Sequence, residues 1–370
     1  MIKVLIVDDS PLLRRLLEGV LRQEGGFAVA IARNGQEALA QLHSFQPDVV
    51  TLDIEMPGMD GLACLDRIMV ERPCPVVMVS ALAAEGAAAT LEAMALGAVD
   101  FIAKPGGAIS LEMAEFGPVV LEKIRIAAGA KLRRSHRLAE RIRAQIEGKL
   151  STRTALPAKP VRPVRPRSRV PAATTGAPAE TCLLIGASTG GPPALDAVLS
   201  RLPADFPGAV LVVQHMPAAF TGPLAERLAT LCALDICEVV EPMPLLSGRI
   251  HVAHGGADVV VSRRPSGPII RPVPAAPALH WHPSVDRLVD SALEYFDPHR
   301  LIGVLLTGMG NDGAEAMTRL RARGGRTVAE AEESAVVWGM PGALVRAGGA
   351  EIVAPLDEIA DRILSLVEAP

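Results

Sequence analysis

The stretch Cys182-Leu-Leu-Ile-Gly-Ala-Ser188-Thr-Gly-Gly-Pro192 decides the fold of this chain. Its first half is a short apolar run that reads as a buried parallel strand, and its second half is a Gly-rich turn feeding a Pro-initiated helix. Ser188 therefore sits between strand and helix, its hydroxyl lifted above the sheet edge. Gly186, Gly190 and Gly191 let a substrate approach backbone N–H groups there. Gly186-x-Ser188-x-Gly190 has the spacing of a nucleophile elbow. A phosphate loop or an ordinary strand–helix turn satisfies it too, so a catalytic role requires a base and an orienting acid elsewhere in the chain.

Apolar runs continue at 209–213, 250–253, 258–262, 301–306 and 351–353, which predicts an α/β domain with a doubly wound parallel sheet. In such sheets ligands bind beyond the carboxyl ends of the strands. There the run Ala209–Val213 leads into Gln214-His215, and Leu301–Leu306 leads into Thr307-Gly-Met-Gly-Asn-Asp312-Gly313. Three strand ends thus offer a hydroxyl, an imidazole and a carboxylate. His215 is placed to take the Ser188 proton while Asp312 fixes its tautomer and stabilises the imidazolium. On residue types alone, Asp258 followed by His280 or His299 also satisfies the order of an α/β-hydrolase. His280 and His282 as a zinc pair lack a third ligand nearby.

Upstream, apolar runs at 3–7, 27–31, 48–54, 76–80 and 98–102 alternate with amphipathic stretches at 11–24, 35–44, 61–72, 86–97 and from 110 onward. This predicts a second doubly wound sheet, with the ends of its strands on one rim. That rim carries Asp8 and Asp9, Asp53, Ser80 and Lys104. Three carboxylates on one edge repel unless a cation lies among them, and hard oxygen ligands with open positions suit magnesium. A phosphoryl group on Asp53 would be held by magnesium, Lys104 and the Ser80 hydroxyl.

The 370 residues suffice for two domains and a linker. From Pro118 to Pro178 fifteen Lys and Arg face three Glu, a balance of +12, which leaves −16 for the rest of a chain of net charge −4. The helix begun near Leu111 is expected to run on through about Arg143. After Lys149 come six prolines between Pro157 and Pro178, an extended semi-rigid linker. The basic segment is interrupted by prolines and carries no aromatic residue for stacking, so neither nucleic acid nor membrane insertion is expected. His136 reads as exposed. Met1-Ile-Lys-Val-Leu-Ile-Val-Asp-Asp9 is a strand rather than a signal peptide, and a cytoplasmic location is expected. Five cysteines without a C-x-x-C pair read as reduced thiols.

Residues 1 to about 125 resemble the receiver domains of two-component response regulators, through Val7-Asp-Asp-Ser10, Leu52-Asp-Ile-Glu-Met-Pro-Gly-Met-Asp-Gly61, Val79-Ser80 and Lys104-Pro105. The resemblance implies a flavodoxin-like fold, Asp53 as phosphoacceptor, and Asp8 and Asp9 as acidic magnesium residues. It also implies Glu55 as a contributor through its backbone carbonyl, Ser80 and Lys104 as switch residues, and a cis Lys104–Pro105 bond.

Residues 181–370 resemble the catalytic domain of the chemotaxis protein-glutamate methylesterases, through Ile185-Gly-Ala-Ser-Thr-Gly-Gly191, Gln214-His-Met-Pro217, Pro283-Ser-Val-Asp286, Leu306-Thr-Gly-Met-Gly-Asn-Asp-Gly313 and Trp338-Gly-Met-Pro341. This implies Ser188 as nucleophile, His215 as general base and acid, Asp312 as orienting carboxylate, and Thr189 and Met309 as supporting neighbours. It further implies methylated chemoreceptors as substrates, a chemotaxis histidine kinase as phosphodonor, and no cofactor for the ester hydrolysis. His282, where many relatives have Arg, and Ala253-His254-Gly255, where they have Ala-Pro-Gly, are local departures at the rim.

The expected organisation is therefore a receiver (1–125), a basic helix and linker (126–180) and a catalytic domain (181–370). A transcriptional regulator would instead carry a short helix-turn-helix unit after residue 180, and a scaffold without chemistry would not need Ser188, His215 and Asp312 together.

Overall fold

A computed structural model of the chain describes residues 1–81, 83–105, 109–132 and 177–368. The first unit alternates β1 (Ile2–Val7), α1 (Pro11–Glu24), β2 (Phe27–Ala32), α2 (Gly35–Ser44), β3 (Val49–Asp53), α3 (Gly61–Glu71), β4 (Val76–Ser80), α4 (Ala84–Leu96), β5 (Asp100–Ala103) and α5 (Ile109–Ala128). The five strands form one sheet in the order β2-β1-β3-β4-β5. All of its pairings are parallel. Parallel strands covered on both faces read as apolar runs, and every position of β3 and β4 is buried. Side chains alternate between two layers: Val4 and Ile6 pack with Leu17 of α1 and Val120 of α5, while Leu5 and Val7 pack with Leu39 of α2 and Leu65 of α3. Ser10, Asn34 and Asp60 cap α1, α2 and α3 by accepting from Leu13, Glu37 and Ala63 amides. The caps start each helix just beyond a strand's carboxyl end, which leaves the acidic rim open.

Two expectations are corrected here. The helix α5 does not run on into the basic segment: the Gly129 and Ala130 amides bond back to the Ile126 and Ala127 carbonyls at 3.0 Å, and the Lys131 amide then goes to Val336 O of the second unit at 3.1 Å. These tightened i→i−3 bonds end the helix, and the remainder of the basic segment with His136, and the linker to residue 176, lie outside the described residues. The Lys104–Pro105 bond is trans, the form an X–Pro bond ordinarily prefers; the cis bond among the described residues is His282–Pro283.

The second unit contains β6 (Cys182–Ala187), α6 (Gly191–Leu199), β7 (Ala209–Gln214), α7 (Ala218–Leu231), β8 (Asp235–Val239), β9 (Met243–Pro244), β10 (Arg249–Ala253), β11 (Ala257–Arg264) and β12 (Gly267–Pro274). These are followed by α8 (Val285–Tyr295), β13 (Leu301–Leu305), α9 (Ala314–Ala322), β14 (Arg326–Glu330), α10 (Met340–Arg346), β15 (Ile352–Ala354) and α11 (Leu356–Glu368). Seven strands make a parallel sheet in the order β15-β14-β13-β6-β7-β10-β8. Leu183 and Ile185 of β6 face α6, α7 and α11, while Cys182 and Leu184 face α8, α9 and α10. The run 258–262, expected in the parallel sheet, instead belongs to an antiparallel sheet β11-β12-β9. The two residues Pro265 and Ser266 between β11 and β12 reverse the chain, which only antiparallel partners permit.

The two units share one hydrophobic cluster. Ala87, Leu91 and Met94 of α4 belong to the same core as Phe220, Leu224 and Leu228 of α7, and the rings of Phe101 and Phe220 lie 4.3 Å apart. Burial pushes the Cys64 thiol up to about 12 and Cys74 up to about 11, so both act as packing groups. No helix among the described residues is long and apolar enough to cross a membrane.

Candidate active site

At the rim of the first sheet Asp8 and Asp53 are buried and Asp9 is exposed, and oxygens of all three lie within 4.8 Å of one another. Lys104 Nζ lies 2.7 Å from Asp53 Oδ1 and 3.5 Å from Asp8 Oδ2. Burial, together with the charge of Asp53, raises the Asp8 carboxyl to about 6. Burial works against the Lys104 charge, but its hydrogen bond to Asp53 and the two carboxylate charges outweigh this and hold its pKa above the ordinary value. Asp8 Oδ2 and Asp53 Oδ2 are buried without a hydrogen-bond partner. Two buried carboxylate oxygens without a hydrogen-bond donor, beside a third carboxylate and with one lysine among three negative charges, fit a hard divalent cation. Glu55 is exposed beside them, and its amide donates to Asp53 Oδ1 at 3.3 Å. The Ser80 hydroxyl is turned away from Asp53 and lies 3.2 Å from the Ala81 and Gly86 carbonyls at the start of α4.

In the second sheet β6 stands between β7 and β13, the place where strand order reverses. Ala187 pairs with Gln214, so the next residues on these neighbouring strands are Ser188 and His215. The backbone of Ser188 is pinned: its amide donates to Thr307 O at 3.0 Å, and its carbonyl accepts from Gly191 N at 2.7 Å and Gln214 Nε2 at 2.9 Å. A Cβ at Gly308 would stand 2.8 Å from Ser188 Cβ, so only glycine lets the β13 turn lie against the serine. Met309 follows in that turn, which Trp338-Gly-Met-Pro341 holds from behind through Gly339 N and Met340 N to Gly308 O.

His215 Nε2 lies 2.8 Å from Asp312 Oδ2, and both side chains are almost wholly buried. His215 Nδ1 is buried with no hydrogen-bond partner, and no hydrogen bond joins it to the Ser188 hydroxyl. Asp312 is itself cradled: Ser284 Oγ and Asp286 N donate to Oδ1 at 3.0 Å each, and Val285 N donates to Oδ2 at 2.7 Å. The carboxylate thus sits on the first amides of α8, where a helix N-terminus favours negative charge. Burial alone would raise the Asp312 carboxyl, but the hydrogen bond and charge of His215 and the α8 amides hold it below the ordinary value. Beside it, burial and the Asp312 charge raise Asp286 to about 6 despite a bond from Ala316 N.

The other histidines have different partners. His282 Nδ1 bonds Asp258 Oδ1 at 2.9 Å, and Arg287 takes the other oxygen at 2.6 Å, so Asp258 anchors this loop through His282 and leaves His280 and His299 without it. Among the described residues, the cluster fit to hold a metal is Asp8, Asp9 and Asp53, and neither His280 nor His282 belongs to it. His254 bonds Glu238 at 2.7 Å, and His251 is buried in β10, its pKa lowered to about 4 by desolvation. Thr189, expected beside the reacting centre, turns its hydroxyl to Asp100 Oδ2 of the first unit at 2.5 Å. Asp100 also takes Lys123 Nζ at 2.7 Å. Sequence reasoning missed Asp100 and Trp281, whose ring stacks beside His215. It also missed the Asp312 cradle, although Ser284 ahead of an apolar-periodic run is an N-cap signal.

Residues 183–363 match the family model for CheB methylesterase, and residues 4–114 match the response regulator receiver domain. The chain is 56% identical over 364 residues, 98% of each chain, to protein-glutamate methylesterase/protein-glutamine glutaminase 2 of Rhodopseudomonas palustris. It is 52% identical over 363 residues, 98% of this chain and 95% of the relative, to protein-glutamate methylesterase/protein-glutamine glutaminase 3 of Rhodospirillum rubrum. Among solved structures, the CheB methylesterase catalytic domain of Thermotoga maritima aligns at 33% identity and a TM-score of 0.49, covering 51% of this chain and 98% of that one.

Proposed function

The chain belongs to the CheB methylesterase family, with a response regulator receiver domain ahead of the esterase domain, and from that premise we propose a phosphorylation-activated hydrolase of chemoreceptor glutamyl methyl esters. The observation that carries the proposal is the Asp312–His215 pair, which leaves one imidazole nitrogen without a hydrogen-bond partner on a residue that stands next to Ser188 in the β6–β7 register. His215 Nδ1 takes the Ser188 proton as Oγ attacks the ester carbonyl. Asp312, on Nε2, holds the tautomer and stabilises the imidazolium. Backbone amides beside Thr189 and Met309 receive the oxyanion. The imidazolium returns its proton to the departing methoxide, giving methanol and a glutamyl-Ser188 ester. Water, deprotonated by His215, then releases the receptor carboxylate. The same acyl-enzyme with ammonia as leaving group deamidates receptor glutamines.

Residues 1–125 form the proposed control unit, 126–180 the connection and 181–370 the esterase. Asp53 accepts a phosphoryl group from a chemotaxis histidine kinase. Asp8, Asp9, Asp53 and the Glu55 carbonyl would hold magnesium, which when bound neutralises charge on the phosphoryl oxygens. Lys104 pairs with the phosphoryl group, and the Ser80 hydroxyl leaves the start of α4 to meet it. That movement loosens α4 and β5 from α7 and the Ser188 turn, shifting the domain equilibrium toward exposure. The substrates lie on cytoplasmic receptor helices, so we place the protein in the cytoplasm.

The test is methanol release from methylated receptor cytoplasmic fragments by the full chain, with magnesium and a small phosphodonor. Release that rises with phosphodonor and is lost in Ser188→Ala supports the assignment. No release while Asp53 is demonstrably phosphorylated overturns it.

A further inference from the structure

Trp281 is one of two tryptophans in the chain, and it lies in none of the five motifs that the catalytic reading uses. Its ring is parallel to that of His215, at 4° between planes and 5.9 Å between centroids, an offset stack. The edge of its six-membered ring fills the space beside Gly310, where a Cβ would fall 2.3 Å from Cζ2 and 2.5 Å from Cη2. The indole is therefore wedged between the catalytic imidazole and the turn that delivers Asp312. Gly310 has φ +80°, so glycine meets both the turn and the ring there.

The segment that carries Trp281 is held firmly. On one side the ring of His280 meets the indole edge-on at 4.8 Å. On the other, His282, the Ser284 amide, Arg287 and the Ala276 amide all bind Asp258, which is fully buried. Four donors on one buried carboxylate fix the loop on both flanks of the tryptophan. The anchor that takes His282 away from any metal or catalytic role thereby acquires a purpose.

We propose that Trp281 is a positioning residue for the hydrolysis, acting through His215. Among the described residues, His215 is tied by a single ring hydrogen bond, to Asp312, about which the imidazole can pivot. The indole face beside it restricts that pivot and keeps Nδ1 toward Ser188. When the imidazole accepts the serine proton it becomes a cation beside an indole, within the ~6 Å at which such a ring attracts positive charge. The attraction is present when the imidazolium forms and absent before, so it favours the transition state over the ground state. This inference rests on His215 being the general base.

The experiment measures methanol release by the phosphodonor-activated full chain in Trp281→Leu, Trp281→Phe and His215→Ala, with thermal unfolding of each. Leucine keeps apolar bulk and loses the ring, so kcat should fall about 3- to 30-fold with KM within about twofold. Phenylalanine keeps an aromatic face and should recover most of that loss. A Trp281→Leu enzyme with unchanged kcat, or Trp281→Phe impaired as deeply as Trp281→Leu, overturns the role of the indole when His215→Ala is inactive. Turnover surviving in His215→Ala instead overturns the general-base assignment and the inference with it.

Discussion

Replacing Asp312 by Asn removes a charge and almost no volume, so it isolates what the carboxylate does. Asp312 accepts four hydrogen bonds: His215 and Val285 on Oδ2, Ser284 and Asp286 on Oδ1. An amide has one oxygen, so its NH2 must face one of these pairs. If it faces Oδ1, the Asp286 amide is left without an acceptor, a buried loss of about 1–3 kcal/mol. If it faces Oδ2, it donates to His215 Nε2 and moves the imidazole proton to Nδ1, the nitrogen that should receive the serine proton. Loss of the correct tautomer in a comparable serine–histidine–aspartate enzyme costs about 10⁴ in kcat. We expect Asp312→Asn to lower kcat for methanol release by about 10³–10⁴, with KM little changed and the melting temperature lowered by several degrees. In a folded Asp312→Asn protein, a kcat within tenfold of the parent would refute the tautomer argument, and an unchanged melting temperature would refute the cradle.

The domain seam and the acidic rim yield two more expectations. Asp100→Asn removes the charge that receives the Thr189 hydroxyl and Lys123, so basal methanol release without phosphodonor should rise about 3- to 10-fold; an unchanged basal rate would show that this contact does not restrain the esterase. Because the folded Asp8 carboxyl is raised to about 6 from 3.8, the folded chain binds protons more readily than the unfolded one between those values. Its share of stability is therefore lost as pH rises from about 4 to 6, on the order of 2 kcal/mol in the metal-free protein. Asp8→Asn should accordingly raise the melting temperature at pH 7.5 in chelator and leave it nearly unchanged at pH 4; an equal gain at both would sink the assignment.

The fold was legible where strands buried on both faces are also apolar throughout; β14, interior and almost wholly buried, escaped because Arg326, Thr327 and Glu330 interrupt its apolar run. The runs at 76–80 and 182–187 are β4 and β6 to the residue, because a central parallel strand has no polar side to interrupt its pattern. The edge strand β8 escaped because Asp235 and Glu238 lie in it, and β12 escaped because Pro268, Pro272 and Pro274 argue against a strand. Helix α5 was read too long because Gly129 is followed by residues of good helix propensity, and a contact with Val336 more than two hundred residues away decides its end. Ser188, His215 and Asp312 were readable as strand-end residues, whereas Asp100 and Trp281 were not. Asp100 looks like any acid entering a strand until Thr189, 89 residues later, is seen beside it.

The core that α4 shares with α7 mixes small and large side chains. Ala87, Ala89 and Ala93 sit on or against the shared core, and the larger Leu91 and Met94 share that helix. At about 25 cal/mol per Å² of apolar surface, each of these alanines adds far less to that contact than a leucine would. Ala87, Ala89 and Ala93 thus give the contact less adhesion than larger apolar side chains in their place would. A larger apolar side chain accommodated at one of them would bind the two units more tightly and so oppose the opening proposed for the phosphorylated chain.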